Sequence, residues 1–218
     1  MDNLIAKKVE QATALATDLN NPSTKMGDLK KTGKAIKKDH ELAKALWFVG
    51  GFQARLLATL IFDKILLDQP FIDELANDLK SHSASERNQI TDWLLANQLM
   101  KSKKTIGLLT SWQMAKTDMC RRLFWYHQAR LRWTGQTPPP NSGELLDVIE
   151  SNIMTEVPEV QWAMNFCAAQ IGVNEANYRT RCIKLGEQTG LYKDEHVAKN
   201  CTPSYLPEFI RIEVGKRA

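Results

Sequence analysis

The sequence predicts an all-α fold, an α-solenoid of stacked antiparallel helix pairs, on three observations. Apolar residues recur at helical spacing along nearly the whole chain, and no segment alternates as a strand would. The helical stretches also fall into pairs that recur every ~35–40 residues, the period of helical repeat arrays. A single pair cannot bury its own apolar face, so neighbours must stack, and the array curves with the second helix of each pair along a concave side. At 218 residues the chain can bury a substantial core as one domain over 1–218, and an array of this kind needs no dimer to fold, so a monomer is expected.

The elements follow in order. Residues 3–19 put Ile5, Val9, Ala12, Ala16 and Leu19 on one helical face, and Asn20, Asn21 and Pro22 break the helix. MGDLKKTGKAIKKDH comes next; its lysines, Lys30, Lys31, Lys34, Lys37 and Lys38, read equally as a solvated helical face or as a phosphate-contacting one. Residues 40–49 and 52–67 form a hairpin about Gly50-Gly51. Residues 70–80 and 85–99 form another, with Ser83 or Ser85 as N-cap, and residues 103–114 and 117–133 a third. After GQTPPPNSG, residues 144–155 and 159–171 pair again, Pro158 suiting the first turn of the second helix, and 178–189 adds one more helix. The tail, 191–218, carries Pro203 and Pro207 and is expected to be irregular, packed on the last repeat through Tyr205, Leu206, Phe209 and Ile210.

Composition narrows the function classes. The formal charge is +4, modest if spread evenly and useful if gathered on one surface. Cys120, Cys167, Cys182 and Cys201 are too far apart for a metal clip, so neither disulfides nor structural zinc are expected, and the chain should be cytoplasmic. Residues 1–20 lack the apolar core of a signal peptide, and the most apolar run, LLATLIFDKILL, is interrupted by Asp63 and Lys64, so no membrane association is expected. Without a glycine-rich phosphate loop, HExxH or GxSxG, no cofactor, metal or nucleophilic serine is expected.

One stretch concentrates the chemistry. DMCRRLFWYHQARLRW, residues 118–133, puts Met119, Cys120, Leu123, Phe124, His127 and Leu131 on one helical side and Arg121, Arg122, Trp125, Gln128 and Arg132 on another. Arg55, Arg122 and Trp162 hold comparable places near the starts of their second helices. The expected concave surface therefore gathers Arg55, Arg121, Arg122, Trp125 and Trp162, with Arg87 as a further member. Cations interleaved with indoles suit phosphates and stacked sugars or bases, and an acidic protein partner equally.

The segment KKDHELAKALWFVGGFQARLLATLIFD resembles the helical hairpin of the DNA alkylation repair family, the AlkD-type HEAT-like repeat proteins, in which DHxLAxxLW leads through a small-residue turn into ARxLAxxI. SWQMAKTDMCRRLFWYHQARL, VQWAMNFCAAQIGVNEANYRTRCIKLGE and the tail segment KNCTPSYLPEFI continue the resemblance, which runs from about Met26 to the C-terminus. The resemblance implies a HEAT-like solenoid holding double-stranded DNA in a concave basic groove. In members that are DNA glycosylases it implies excision of cationic alkylated purines with two tryptophans and an aspartate near the deoxyribose. Arg122 falls on the family's DNA-contacting arginine. The second tryptophan falls on Phe166, and the first tryptophan and the aspartate fall on His82 and Glu86, with Asp92 and Trp93 the other acidic and aromatic pair nearby. The departures touch the catalytic set and leave the scaffold intact. Three readings follow: a DNA glycosylase with a modified site built on Glu86, His82 and Phe166; a non-catalytic member binding duplex or branched DNA; and a protein-interaction solenoid.

Overall fold

Each stretch read as helical contains a helix in the computed structural model, which describes residues 2–21 and 23–217; Pro22, expected to break the first helix, lies outside them. Twelve α-helices and no strand occur among the described residues. Where the sequence suggested one domain, the chain divides into two compact units, Met1–Ser111 and Trp112–Ala218.

The first unit contains α1 (Asp2–Leu19), α2 (Met26–Ile36), α3 (His40–Val49), α4 (Phe52–Ile61), α5 (Gln69–Asp78), α6 (Ala84–Asn97) and α7 (Lys103–Ser111). Gly50 and Gly51, at φ of +83° and +85°, end α3 and begin α4 within two residues, which a residue carrying Cβ could do only under strain. Carboxylate caps set other starts: Asp39 accepts the Leu42 N–H and Asp68 the Phe71 N–H, each at 3.0 Å. Packing skips a helix, α1 against α3, α2 against α4 and α4 against α6, as stacked pairs require. Leu29, Leu42, Leu46, Leu56, Leu57 and Ile61 are wholly enclosed by this arrangement.

The helix expected over 52–67 stops at Ile61. Phe62 turns extended at ψ 148°, and the Asp63 carboxylate accepts the Ile65 N–H at 3.1 Å while pairing with Lys38 at 2.9 Å. This local side-chain acceptor competes with the helical ladder and lets the chain turn toward α5.

The second unit contains a 3₁₀ turn at Trp112–Met114, then α8 (Asp118–Trp133), α9 (Ser142–Asn152), α10 (Pro158–Asn174), α11 (Ala176–Thr189) and α12 (Leu206–Gly215). The same skipping recurs, α8 against α10, α10 against α12 and α9 against α11. Pro158 sits in the first turn of α10, where its missing N–H costs nothing. The tail, expected to be irregular over 191–218, is irregular only as far as Tyr205. Pro207 falls in the first turn of α12 and starts a helix instead of preventing one. Leu206 and Ile210 are buried against the last pair, and Asn165 Nδ2 donates to the Ser204 carbonyl at 2.8 Å. Cys120, Cys167 and Cys182 are buried free thiols, burial pushing Cys167 and Cys182 up to about 12, while Cys201 is exposed. No helix among the described residues is long and apolar enough to cross a membrane.

Gly186 sets how closely α12 approaches α11. A Cβ there would lie 2.5 Å from Pro207 Cδ and 2.6 Å from Leu206 Cβ. Gly186→Ala is therefore expected to cost about 1–3 kcal/mol through overpacking, read as a lower Tm in thermal denaturation. An unchanged Tm would show that α12 is not seated this way.

Candidate nucleic-acid interface

Thr117 Oγ1 accepts the Cys120 N–H and starts α8. Cys120, Leu123, Phe124 and Ala129 pack into the core from this helix, as the apolar spacing requires. Its third and fourth neighbours along another stripe are Arg122, Tyr126, Arg130 and Trp133, cation and aromatic in alternation. α10 faces this stripe with Trp162 and Phe166, one turn apart.

The rings and guanidinium groups interlock. Trp162 and Phe166 stack with centroids 5.3 Å apart and planes 11° from parallel. Tyr126 lies 5.9 Å from Trp162 and 5.8 Å from Phe166, and Trp133 and Phe209 meet Phe166 edge-on at 6.1 Å. The Arg122 guanidinium lies over Tyr126 at 5.4 Å and over Trp162 at 5.9 Å. Arg130 lies over Tyr126 at 5.9 Å and over Trp133 at 5.7 Å. These are cation–π distances, and they hold both guanidinium groups against the ring faces. Arg122 is 4% exposed and forms the inner end; Trp133, 51% exposed, forms the outer end. His127, on the same helix, adds no charge: burial, and then Arg130, lower it to about 4.

Of the residues expected to contact DNA, the structure brings Arg122 and Trp162 together with Phe166, which was expected in the catalytic set. Others have structural work. Trp125, expected on the basic face, is 1% exposed and packs edge-on against Phe124 at 5.0 Å, so it has no face to offer a ligand. Arg121 pairs with Glu156 through two bonds of 2.8 and 2.9 Å, and also with Asp118 at 2.8 Å. Arg55 is buried in the first unit, donating to the Trp47 carbonyl at 3.3 Å and the Asp78 carbonyl at 2.7 Å, with its guanidinium 5.4 Å from the Trp47 ring. It ties off the ends of α3 and α5, where carbonyls lack helical partners. Even Arg132, on the expected basic face, is enclosed by Glu175 and Ser142.

His82, Glu86 and Arg87 meet at the start of α6. Ser83 accepts the Glu86 N–H, and Glu86 accepts the Ser83 N–H at 3.2 Å, a capping box. The same Glu86 oxygen, Oε2, contacts His82 Nδ1 at 3.2 Å, and Arg87 donates to the His82 carbonyl at 2.7 Å. Burial alone would raise the Glu86 carboxyl, but bonds from the Ser83 N–H, His82 and the Ser83 hydroxyl together hold it below its ordinary value. Trp93, of the other acidic and aromatic pair, lies beneath Lys30 at 5.6 Å. His82 and Glu86 thus belong to the first unit and Phe166 to the second. No group of three His, Cys, Asp or Glu among the described residues could hold a metal ion.

Sequence reading missed Tyr126, Arg130 and Trp133 as site residues. Their signal is present as the repeat of Arg122, Tyr126, Arg130 and Trp133 at helical spacing, but a division of the wheel into two sides by angle groups Arg122 with the core residue Trp125.

No family model and no curated protein matches the chain. It is similar in fold to a solved structure described as a new family of proteins related to the HEAT-like repeat DNA glycosylases with affinity for branched DNA structures. The TM-score is 0.68 over 99% of this chain and 94% of that one, at 15% sequence identity. Together with its skipping helix pairs, this likeness makes the chain a HEAT-like repeat protein by fold.

Two expectations follow for the displaced residues. Arg55→Ala should cost about 1–3 kcal/mol by removing the donor to the Trp47 carbonyl and leaving the Asp78 carbonyl with only the Ser81 hydroxyl, measured by urea denaturation; a loss below ~0.5 kcal/mol would exclude that role. The Glu86 carboxyl, lowered in the fold, adds stability above its unfolded pKa that disappears as pH falls through the folded value. Glu86→Gln, which can still complete the box, should therefore lower Tm at pH 7, by a deficit that shrinks as pH falls through the acid range. A pH-independent deficit would assign Glu86 some other role.

Proposed function

We propose that this chain binds double-stranded DNA, including branched DNA, without cleaving a glycosidic bond. The observation that carries this reading is the alternation of guanidinium and aromatic groups along α8, backed by the Trp162–Phe166 stack. The half-buried Arg130, held on the Tyr126 and Trp133 faces, presents donors to phosphate oxygens, and the exposed Trp133 indole beside it can stack on a sugar or base, while the buried Arg122 backs the cluster from inside. The structurally similar protein is described as having affinity for branched DNA structures, which supports the same class of ligand here.

Excision of alkylated purines, the activity implied by resemblance to the DNA alkylation repair family, draws less support. Glu86 would have to act with the oxygen left outside its capping box. Phe166 replaces an indole and is hemmed in by four other rings, Trp162, Tyr126, Trp133 and Phe209. The glycosylase reading stands if the protein releases 7-methylguanine from a duplex and Glu86→Gln does not.

The binding reading predicts that Trp133→Ala weakens affinity for a four-way junction by about 5–150-fold, the ~1–3 kcal/mol of one stacked group. Arg130→Ala should reduce the slope of log Kobs against log[salt] by ~0.9, one phosphate contact. Fluorescence anisotropy over a salt series checks both. Parent-like affinity and slope in both variants would remove the α8 face from the interface.

A further inference from the structure

We propose that a lysine-lined cleft in the first unit, at the C-terminal ends of α2, α4 and α6, is a phosphate-chain-binding site. Its ligand is two or three consecutive phosphates, as in a nucleic-acid strand; the DNA form of the proposal rests on the binding reading above.

The cleft arises from close packing. Gly33 lets α2 lie against α4 so tightly that a Cβ there would be 2.9 Å from Leu60 Cδ1. That contact sets Lys30, Lys34 and Lys37 beside the end of α4, where the chain turns at Asp63 and adds Lys64. Gln98 Nε2, donating to the Thr59 carbonyl at 2.8 Å, ties the end of α6 to the same place. The cleft has a volume of about 560 Å³ and is lined by Lys30, Lys34, Lys37, Lys38 and Lys64, with Leu60, Phe62 and Ile65 as an apolar wall. A sixth lysine, Lys104, donates to the Ile65 carbonyl at its edge.

The charge balance favours an anion. Asp63 is the one carboxylate lining the cleft, and Lys38 holds it at 2.9 Å. No acidic side chain among the described residues pairs with Lys34, Lys37 or Lys64. Helix C-termini work against anions and would themselves attract lysines, each carrying about half a negative charge. Three such ends plus Asp63 still leave five lysines with a surplus of roughly two to three positive charges, matching that number of phosphodiesters. The backbone points the same way. Lys37 takes φ +66° and ψ −122°, a conformation that favours glycine, at a cost of about 1–3 kcal/mol. It is pinned there by its own N–H to the Gly33 carbonyl at 2.8 Å and by the Asp39 N–H to the Ile61 carbonyl at 2.9 Å. A cation is thus held at a helix end where asparagine or glycine would be relaxed.

The experiment uses the full chain and its Lys34→Ala/Lys37→Ala/Lys64→Ala variant, with the matching Lys→Arg triple as a charge-preserving control. Duplex DNA is titrated over a salt series by anisotropy, and inorganic tripolyphosphate by calorimetry. The alanine triple should lose tripolyphosphate binding and flatten the DNA salt slope by about two to three, at ~0.9 per contact, while the arginine triple keeps both. If the parent binds tripolyphosphate but no DNA, the cleft stands as a polyphosphate site and the DNA reading falls. If tripolyphosphate binding is lost but the DNA slope is unchanged, the DNA form alone is overturned. An unchanged slope with tripolyphosphate binding absent or unaltered overturns the cleft and leaves the DNA reading intact. No binding of either ligand by the parent overturns both.

Discussion

Short helices that cannot hold their shape alone impose the constraint from which the rest of this structure follows. A ten-residue helix such as α3 or α4 is marginal in water, and its stability has to come from covering an apolar face. One partner covers only part of that face, so helices such as α2, α4, α8 and α10 also pack on the next but one. Helices in the middle of a unit are consequently enclosed on nearly all sides. α10 illustrates the result, with Asn165 and Gln170 buried beside Val160, Ala168 and Ile171. Polar groups on such helices need partners inside the protein, which Asn165 finds in the Ser204 carbonyl and Arg132 in Glu175 and Ser142.

This enclosure divides labour between arginine and lysine. A planar guanidinium with five donors satisfies several carbonyls or a carboxylate at once, and Arg55, Arg121 and Arg132 do so. Arginine in this chain is therefore largely an internal fastener. Lysine, a strongly hydrated point charge on a flexible stem, suits few such places, and Lys34 and Lys37 remain exposed. Each such pair removes one cation and one anion from the count, so the formal charge of +4 is carried by side chains outside these pairs, the exposed Lys34 and Lys37 among them.

The scaffold was legible from sequence because its rules are local. Apolar spacing, the Gly50-Gly51 turn, the cap at Ser83 and the Pro158 start each depend on a few adjacent residues. The site was only half legible. Arg122, Trp162 and Phe166 do gather, yet Trp125 and Arg121 sit on the same helical side as Arg122 and go to the core and to Glu156. A helical wheel sorts residues by angle, whereas burial of α8 depends on which neighbours lie around it, and Glu156 is 35 residues away. The α12 helix was missed for a related reason: two prolines argued against one long helix, but Pro207 only fixes where a short one begins.

Electrostatics also bear on which ligands the aromatic surface of α8 and α10 favours. Aromatic faces attract cations, which is how a cationic alkylated base would be held near a scissile bond. Here Arg122 and Arg130 already lie 5.4–5.9 Å from the centroids of Tyr126, Trp162 and Trp133. A second cation stacked within ~7 Å of the half-buried Arg130 guanidinium would meet roughly 2 kcal/mol of repulsion at an effective dielectric constant of about 20. The same field favours a phosphate by a similar amount, so the two ligands differ by roughly 4 kcal/mol from one arginine alone. An aromatic face capped by a guanidinium therefore disfavours a cationic ligand and favours an anionic one, the ligand class of the proposed reading.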